Sequence, residues 1–237
     1  VKQLRCLYEI AKLVERHEPS LDGLLQGVVD LLPSSWQYPE ITCAKLDLHK
    51  KIYATRNFKE TIWKQACDIY VHGDLSGTLK ICYLEEKPSR DDEPFLKEEK
   101  KLLKSIAERV GKIVEGKQAH EALWESEQRF HELYSNMSNG VAVYKVVSDG
   151  EDFIFVDFNK AGERIDNFKR ENIIGKSLLE IYPGVKKIGL FDVLQRVWRT
   201  GKPEHHPVSF YQEGRIRGWR ENYVYRLPSG EIVAVYN

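Results

Sequence analysis

The sequence predicts an α+β protein of two domains, each an antiparallel sheet with flanking helices, joined by a long helix bearing coiled-coil seams. Three observations predict it. The chain has 237 residues, more than one typical domain of roughly 150 and short of two. Two stretches of period-2 alternation, each neighboured by helical patterns, are separated by the longest uninterrupted helical pattern in the chain. Apolar residues make up 42%, enough for two cores. The expected divisions are 1–93, 94–136 and 137–237.

The amino end reads as a helix with Leu4, Leu7, Tyr8, Ile10, Ala11 and Val14 on one broad face. Pro19 breaks it, and Ser20 caps a second helix carrying Leu21, Leu24, Leu25, Val28, Val29 and Leu32. Ile41–Leu48 and Trp63–Val71 then alternate. Gly73–Gly77 reads as a turn and Thr78–Leu84 resumes the alternation, which makes a hairpin.

After the breaker-rich loop Pro88–Pro94, no proline interrupts Phe95–Asn136. At ~1.5 Å per residue this helix reaches on the order of 60 Å, which suits a connecting rod. Leu103, Ile106, Val110 and Ile113 form one a/d seam; Ala119, Leu123, Ser126, Phe130 and Leu133 form another. The six-residue step from Ile113 to Ala119 breaks the heptad register between them.

A second alternating section follows: Val141–Val147, the turn Ser148-Asp149-Gly150, then Phe153–Phe158. Short helices run to Gly201, the clearest being Phe191–Thr200. Three strands close the chain at His206–Tyr211, Trp219–Leu227 and Ile232–Tyr236.

Charge and composition exclude several functions. Lys+Arg and Asp+Glu are both 36, and the first 120 residues hold 20 basic against 19 acidic. Neither half has the basic excess that phosphate-backbone binding needs, so no nucleic-acid partner is expected. No apolar run approaches the ~20 residues of a membrane span, and the amino end lacks a signal-peptide pattern. Cys6, Cys43, Cys67 and Cys82 are too sparse for a disulfide-built domain and read as reduced thiols of a cytoplasmic protein. No phosphate loop or nucleophile–base–orienter set is present, so the chain is not expected to be an enzyme.

Asp157-Phe158-Asn159-Lys160-Ala161, followed by Arg164, Glu171, Ile173-Ile174-Gly175-Lys176, Leu178 and Pro183, resembles the start of a PAS sensory domain. The closing Leu227-Pro228-Ser229-Gly230-Glu231 is similar to the end of the same fold. Asn167 stands where many members place glycine; Asn is the next best residue at positive φ. The run Ala122–Phe130 resembles the helix that precedes PAS domains in multidomain sensors. Upstream, Trp36–Ala44, Phe58–Thr61 and Phe95–Glu99 resemble a GAF-type domain. The resemblance implies the sensory input region of a bacterial or archaeal signal-transduction protein of the sensor histidine kinase type. It implies homodimerisation through the long helix, with Leu103, Ile106, Val110, Ile113, Leu123 and Phe130 as seam residues, and an output domain beyond Asn237.

Each site candidate also has a plain structural role. His131-Glu132-Leu133 resembles the start of a phosphoacceptor helix, but the Tyr134-Ser135-Asn136 that follows does not, and His131 reads as a solvated linker residue. Cys67 and Cys82 flank the Gly73–Gly77 turn; pairing numbers summing near 150 would bring them together as a redox pair, or as a metal site with Cys43 and His72. Buried structural thiols are the plainer reading. Haem-binding PAS domains carry a histidine on the helix before the third strand; Phe191–Thr200 has none, and His205-His206 reads as a solvated pair. Flavin–cysteinyl chemistry needs a cysteine that the second domain lacks. No cofactor is therefore expected. A pocket for an unidentified small molecule would draw on Phe153, Phe155, Trp198, Phe210, Tyr211, Tyr223 and Tyr225, with Arg220, Asn222 and Val224 on the opposite face of their strand. The rival readings are a ligand-free dimerising scaffold and a haem or redox sensor.

Overall fold

The computed structural model describes residues 2–15, 20–86, 94–213 and 216–237, with the backbone alone at 2–3, 209–213 and 216–218. Most of the Pro88–Pro94 loop lies outside the described residues. The chain divides into two compact units, Val1–Trp124 and Glu125–Asn237. Each is an α+β arrangement, and the long helix Lys97–Asn136 runs from one into the other.

The first unit contains α1 (Lys2–Glu15), α2 (Leu21–Leu31), β1 (Thr42–Leu48), β2 (Lys51–Ala54), β3 (Lys64–Val71), β4 (Asp74–Tyr83) and the start of α3 (Lys97–Asn136). Its antiparallel sheet has the order β2-β1-β4-β3. Ser20 caps α2, its hydroxyl accepting from the Gly23 amide at 3.1 Å, as the sequence predicts. α1 buries Cys6 and Ile10 but leaves Leu4, Tyr8 and Val14 exposed, so only part of its apolar face is covered.

Two turns differ from expectation. β2 is an additional strand: His49 and Lys50 both take positive φ, making a tight turn without glycine. The β3–β4 hairpin reverses at His72-Gly73 (φ 52° and 87°), the two left-handed residues of a type I′ turn, and not over Gly73–Gly77. Val71 therefore pairs with Asp74, Cys67 with Leu79, and Lys64 with Cys82. Cys67 packs toward the core with Leu79, whereas Cys82, of opposite parity on β4, points to the other face. The expected Cys67–Cys82 juxtaposition is thus overturned by a turn shorter than the one expected.

α3 also corrects the seam assignment. Leu103, Ile106, Val110 and Ile113 are buried in the core of their own unit with α2 and the sheet. A 3,4 spacing marks any buried helix stripe, and here a sheet covers it rather than a second helix. Gly111 is a contact point: a Cβ there would lie 2.2 Å from the Tyr70 carbonyl oxygen. Leu123, Phe130 and Leu133 remain exposed. Among the described residues no helix is long and apolar enough to cross a membrane.

The second unit contains β5 (Gly140–Val147), β6 (Asp152–Phe158), α4 (Lys160–Asp166), α5 (Arg170–Ile173), α6 (Leu178–Ile181), α7 (Leu190–Thr200), β7 (Glu204–Glu213), β8 (Ile216–Arg226) and β9 (Ile232–Tyr236). The strand order is β6-β5-β9-β8-β7, with the intervening helices contributing to one core on one face of the sheet. Asn167 ends α4 in the left-handed region at φ 56°, the conformation expected of a residue in glycine's place.

Candidate functional site

The inner face of the second sheet carries a row of polar side chains in register. His206 opposes Asn222, Asn222 opposes Tyr236, and Tyr236 opposes Gly140. Period-2 alternation puts these side chains on one face, and His206, Asn222 and Tyr236 are all buried. Gly140 is required beside Tyr236: a Cβ would stand 2.6 Å from the ring.

That ring reaches Asp166, the last residue of α4. Asp166 Oδ2 accepts from the hydroxyls of Tyr182 (2.8 Å) and Tyr236, and Oδ1 accepts from Arg220 Nη2 at 3.1 Å. The Arg220 guanidinium also donates to the Ile165 carbonyl at 3.2 Å. A buried carboxylate needs this density of donors, since an unpaired buried charge would cost several kcal/mol. Burial, followed by the Asp166 charge, holds the Tyr236 hydroxyl well above the usual phenol range, so Tyr236 acts as a donor.

Beside this quartet lies a cavity of about 50 Å³, walled by Tyr144, Tyr182, Arg220, Asn222 and Tyr236 and by the aliphatic Leu178, Val185, Ile188 and Leu190. Pockets for drug-sized ligands run to roughly 300–1,000 Å³, while a single water needs about 10–15 Å³. The cavity thus suits a few waters or a ligand of a few heavy atoms, and neither haem nor flavin fits it. Asn222 is only 4% exposed, and its side chain lines the cavity. A side-chain amide offers both a donor and an acceptor to a polar guest in the cavity.

Among the described side chains, none of the aromatic residues expected to form a pocket lines this cavity. Phe153 and Phe155 are buried in the core, Phe153 edge-on to Phe191 at 5.4 Å. Trp198 packs over Gly150. Tyr223 is 40% exposed and neighbours Tyr225 on the sheet face opposite Asn222. The side chains of Phe210 and Tyr211 lie outside the described ones. The expected phase of β8 is therefore inverted, because the ion pair to Asp166 holds Arg220 inward and Asn222 and Val224 follow by alternation. Of the solvated histidine pair, only His205 is exposed; burial lowers the pKa of His206, partly offset by its hydrogen bond to the Ile188 backbone. Among the described residues no three His, Cys, Asp or Glu side chains converge as a metal site.

At the other end of α4, Asn159 makes four hydrogen bonds. Its Oδ1 accepts from the amides of Gly162 (2.8 Å) and Val141 (2.9 Å), and its Nδ2 donates to the carbonyls of Asn139 (2.9 Å) and Tyr134 (3.3 Å). Tyr134 belongs to α3, so this one side chain joins the end of the long helix to β5 and α4. The sequence marks Asn159 through the PAS resemblance; it does not mark Asp166, Tyr182 or Tyr236, although Tyr236 shares a period-2 face with Ala234 and Ile232.

No curated protein matches the chain. A domain of the sensory box sensor histidine kinase/response regulator from Geobacter sulfurreducens is similar at 18% identity, over 48% of this chain and 96% of that one, with a TM-score of 0.39. The PAS domain of a protein from Colwellia psychrerythraea is similar at 15% identity, over 46% and 93%, with a TM-score of 0.36. An RNA-binding Light-Oxygen-Voltage receptor is similar at 15% identity, over 47% and 32%, with a TM-score of 0.38. Residues 136–237 match the family described as PAS fold, and the second unit carries that fold.

Proposed function

We propose that the chain is a sensory input and relay region of a signal-transduction protein. A small polar guest enters the cavity beside Asn222, alters the Asp166 quartet and, through α4 and Asn159, repositions the end of α3. The observation that carries this reading is the cavity itself, lined by the buried Asn222 and by Asp166, the last residue of α4. The GAF-type resemblance supports a second sensory role for the first unit. The exposed Leu123 and Phe130 support a homodimer whose geometry would pass the signal to an output domain.

The test is an NMR titration of the isotope-labelled chain with acetamide, a neutral guest of four heavy atoms, and with acetate, its charged counterpart. Acetamide is expected to shift the Asn222 side-chain amide saturably and the Tyr134 backbone amide with it. Shifts at Asn222 without any at Tyr134 would refute the relay, and no shift at Asn222 would refute the guest.

A further inference from the structure

The first unit holds a thiol pair of its own. Cys43 on β1 and Cys82 on β4 are direct register partners. Opposed residues in an antiparallel pair stand about 4.5–5.5 Å apart at Cα, inside the roughly 4.4–6.8 Å window that a disulfide spans. Both residues are fully buried and carry free thiols, and the two thiols interact. They project from the sheet face away from the main core, since their neighbours Ala44, Ile81 and Tyr83 fill that core and neither cysteine belongs to it.

What covers them is the irregular segment 55–63. It is held over the strands by the Cys43 thiol donating to the Lys59 carbonyl at 3.6 Å, Asn57 Nδ2 donating to the Thr42 carbonyl at 3.3 Å, and the Thr61 hydroxyl donating to the Tyr83 carbonyl at 2.7 Å. Both ends of the segment are pinned, Thr55 to Ala44 and Trp63 to Tyr83, and Glu60 pairs with Lys80. Between these ties it belongs to no helix or strand, and such a segment opens locally at a cost below that of global unfolding.

We propose that Cys43 and Cys82 form a reversible disulfide, with the 55–63 segment as its gate and a peroxide as its oxidant. One thiolate attacks the peroxide O–O bond, giving a sulfenic acid and, with hydrogen peroxide, a water molecule. The second thiolate displaces hydroxide from the sulfenic sulfur, which leaves as a second water. The two sulfurs together lose two electrons and two protons, and the peroxide is reduced to water. A dithiol reverses the step by thiol–disulfide exchange. Burial pushes the Cys43 thiol above its ordinary range, so the closed form is unreactive and the gate sets the rate.

The experiment treats the full chain with hydrogen peroxide, unfolds it in the presence of an alkylating agent and maps the peptides by mass spectrometry. The expected product is a Cys43–Cys82 crosslinked peptide pair, two hydrogens lighter than the sum of the reduced peptides and lost on dithiothreitol treatment. The Cys67→Ser chain should give the same product at the same rate, and Thr61→Val, which removes one tie of the cover, should form it several-fold faster. Four alkylated cysteines after peroxide, over-oxidised single thiols, or crosslinks through Cys6 or Cys67 would overturn the proposal. An unchanged rate in Thr61→Val would overturn the gate.

Discussion

Asn159 and Asp166 stand at the two ends of one seven-residue helix. Asn159 is the N-cap of α4 and Asp166 its last residue; the first holds the Tyr134 carbonyl of α3 and the second holds Arg220, Tyr182 and Tyr236 beside the cavity. A helix of two turns is stiff, so displacement at one end is felt at the other without unfolding between them.

Replacing Asn159 with alanine removes a cap and orphans the buried Val141 amide. The second unit should lose about 2–3 kcal/mol, read as a lower urea midpoint. A loss below about 0.5 kcal/mol would show that water or a neighbour replaces these bonds.

Asp166→Ala leaves the Arg220 guanidinium buried without its counter-charge and two tyrosine hydroxyls without their acceptor. Such a change costs about 3–5 kcal/mol. The double variant Asp166→Ala/Arg220→Met should recover part of that loss, because it removes the orphaned charge. A double-mutant cycle with no coupling would contradict the ion pair.

The two glycines of α3 should respond in opposite ways. Gly116 has open space where its Cβ would go, so Gly116→Ala should stabilise by about 0.5–1 kcal/mol through helix propensity. Gly111→Ala drives a methyl into the Tyr70 carbonyl and should destabilise the first unit by about 1–3 kcal/mol. Thermal unfolding of the two variants distinguishes these directions.

The face of α3 can be tested by charge. Phe130→Glu and Leu123→Glu alter exposed positions and should change stability by less than about 0.5 kcal/mol while converting a dimer to a monomer in sedimentation. Val110→Glu, at a fully buried position, should unfold the first unit. A chain that is already monomeric would remove the dimer from the proposed function.

His206 gives the second unit a pH dependence of definite sign. Its folded pKa lies below the ordinary 6.5, chiefly through burial. Below about pH 6.5 the unfolded chain takes up a proton there that the folded chain does not, so this contribution to stability is intact above that pH. It falls as the pH drops, and levels off once the folded pKa is passed. His206→Gln should flatten this part of the profile, measured as urea midpoints at pH 7.5 and 5.5; identical slopes in both proteins would refute it.

Local signals were legible wherever one residue type has one conformational use. Ser20 and Asn159 as caps, Asn167 at positive φ and the unbroken run to Asn136 follow from backbone hydrogen bonding and sterics that a short window contains. The strand positions of β5 to β9 follow from alternation. Parity was not legible: β8 offers Trp219, Tyr223 and Tyr225 on one face and Arg220, Asn222 and Val224 on the other, and hydrophobicity favours the wrong one.

The sequence by itself determined two α+β units with a continuous helix running from one into the other, because periodicity, caps and breakers act over one or two turns. Tertiary structure decided which stripe each element buries. The β3–β4 register set Cys67 opposite Leu79 while the pairing of β1 with β4 set Cys82 opposite Cys43, a sheet rather than a second helix took up Leu103–Ile113, and Asp166 drew Arg220 inward and Asn222 with it. Each of these depends on a partner distant in sequence, whose pairing energy exceeds the local preference of the residue it fixes.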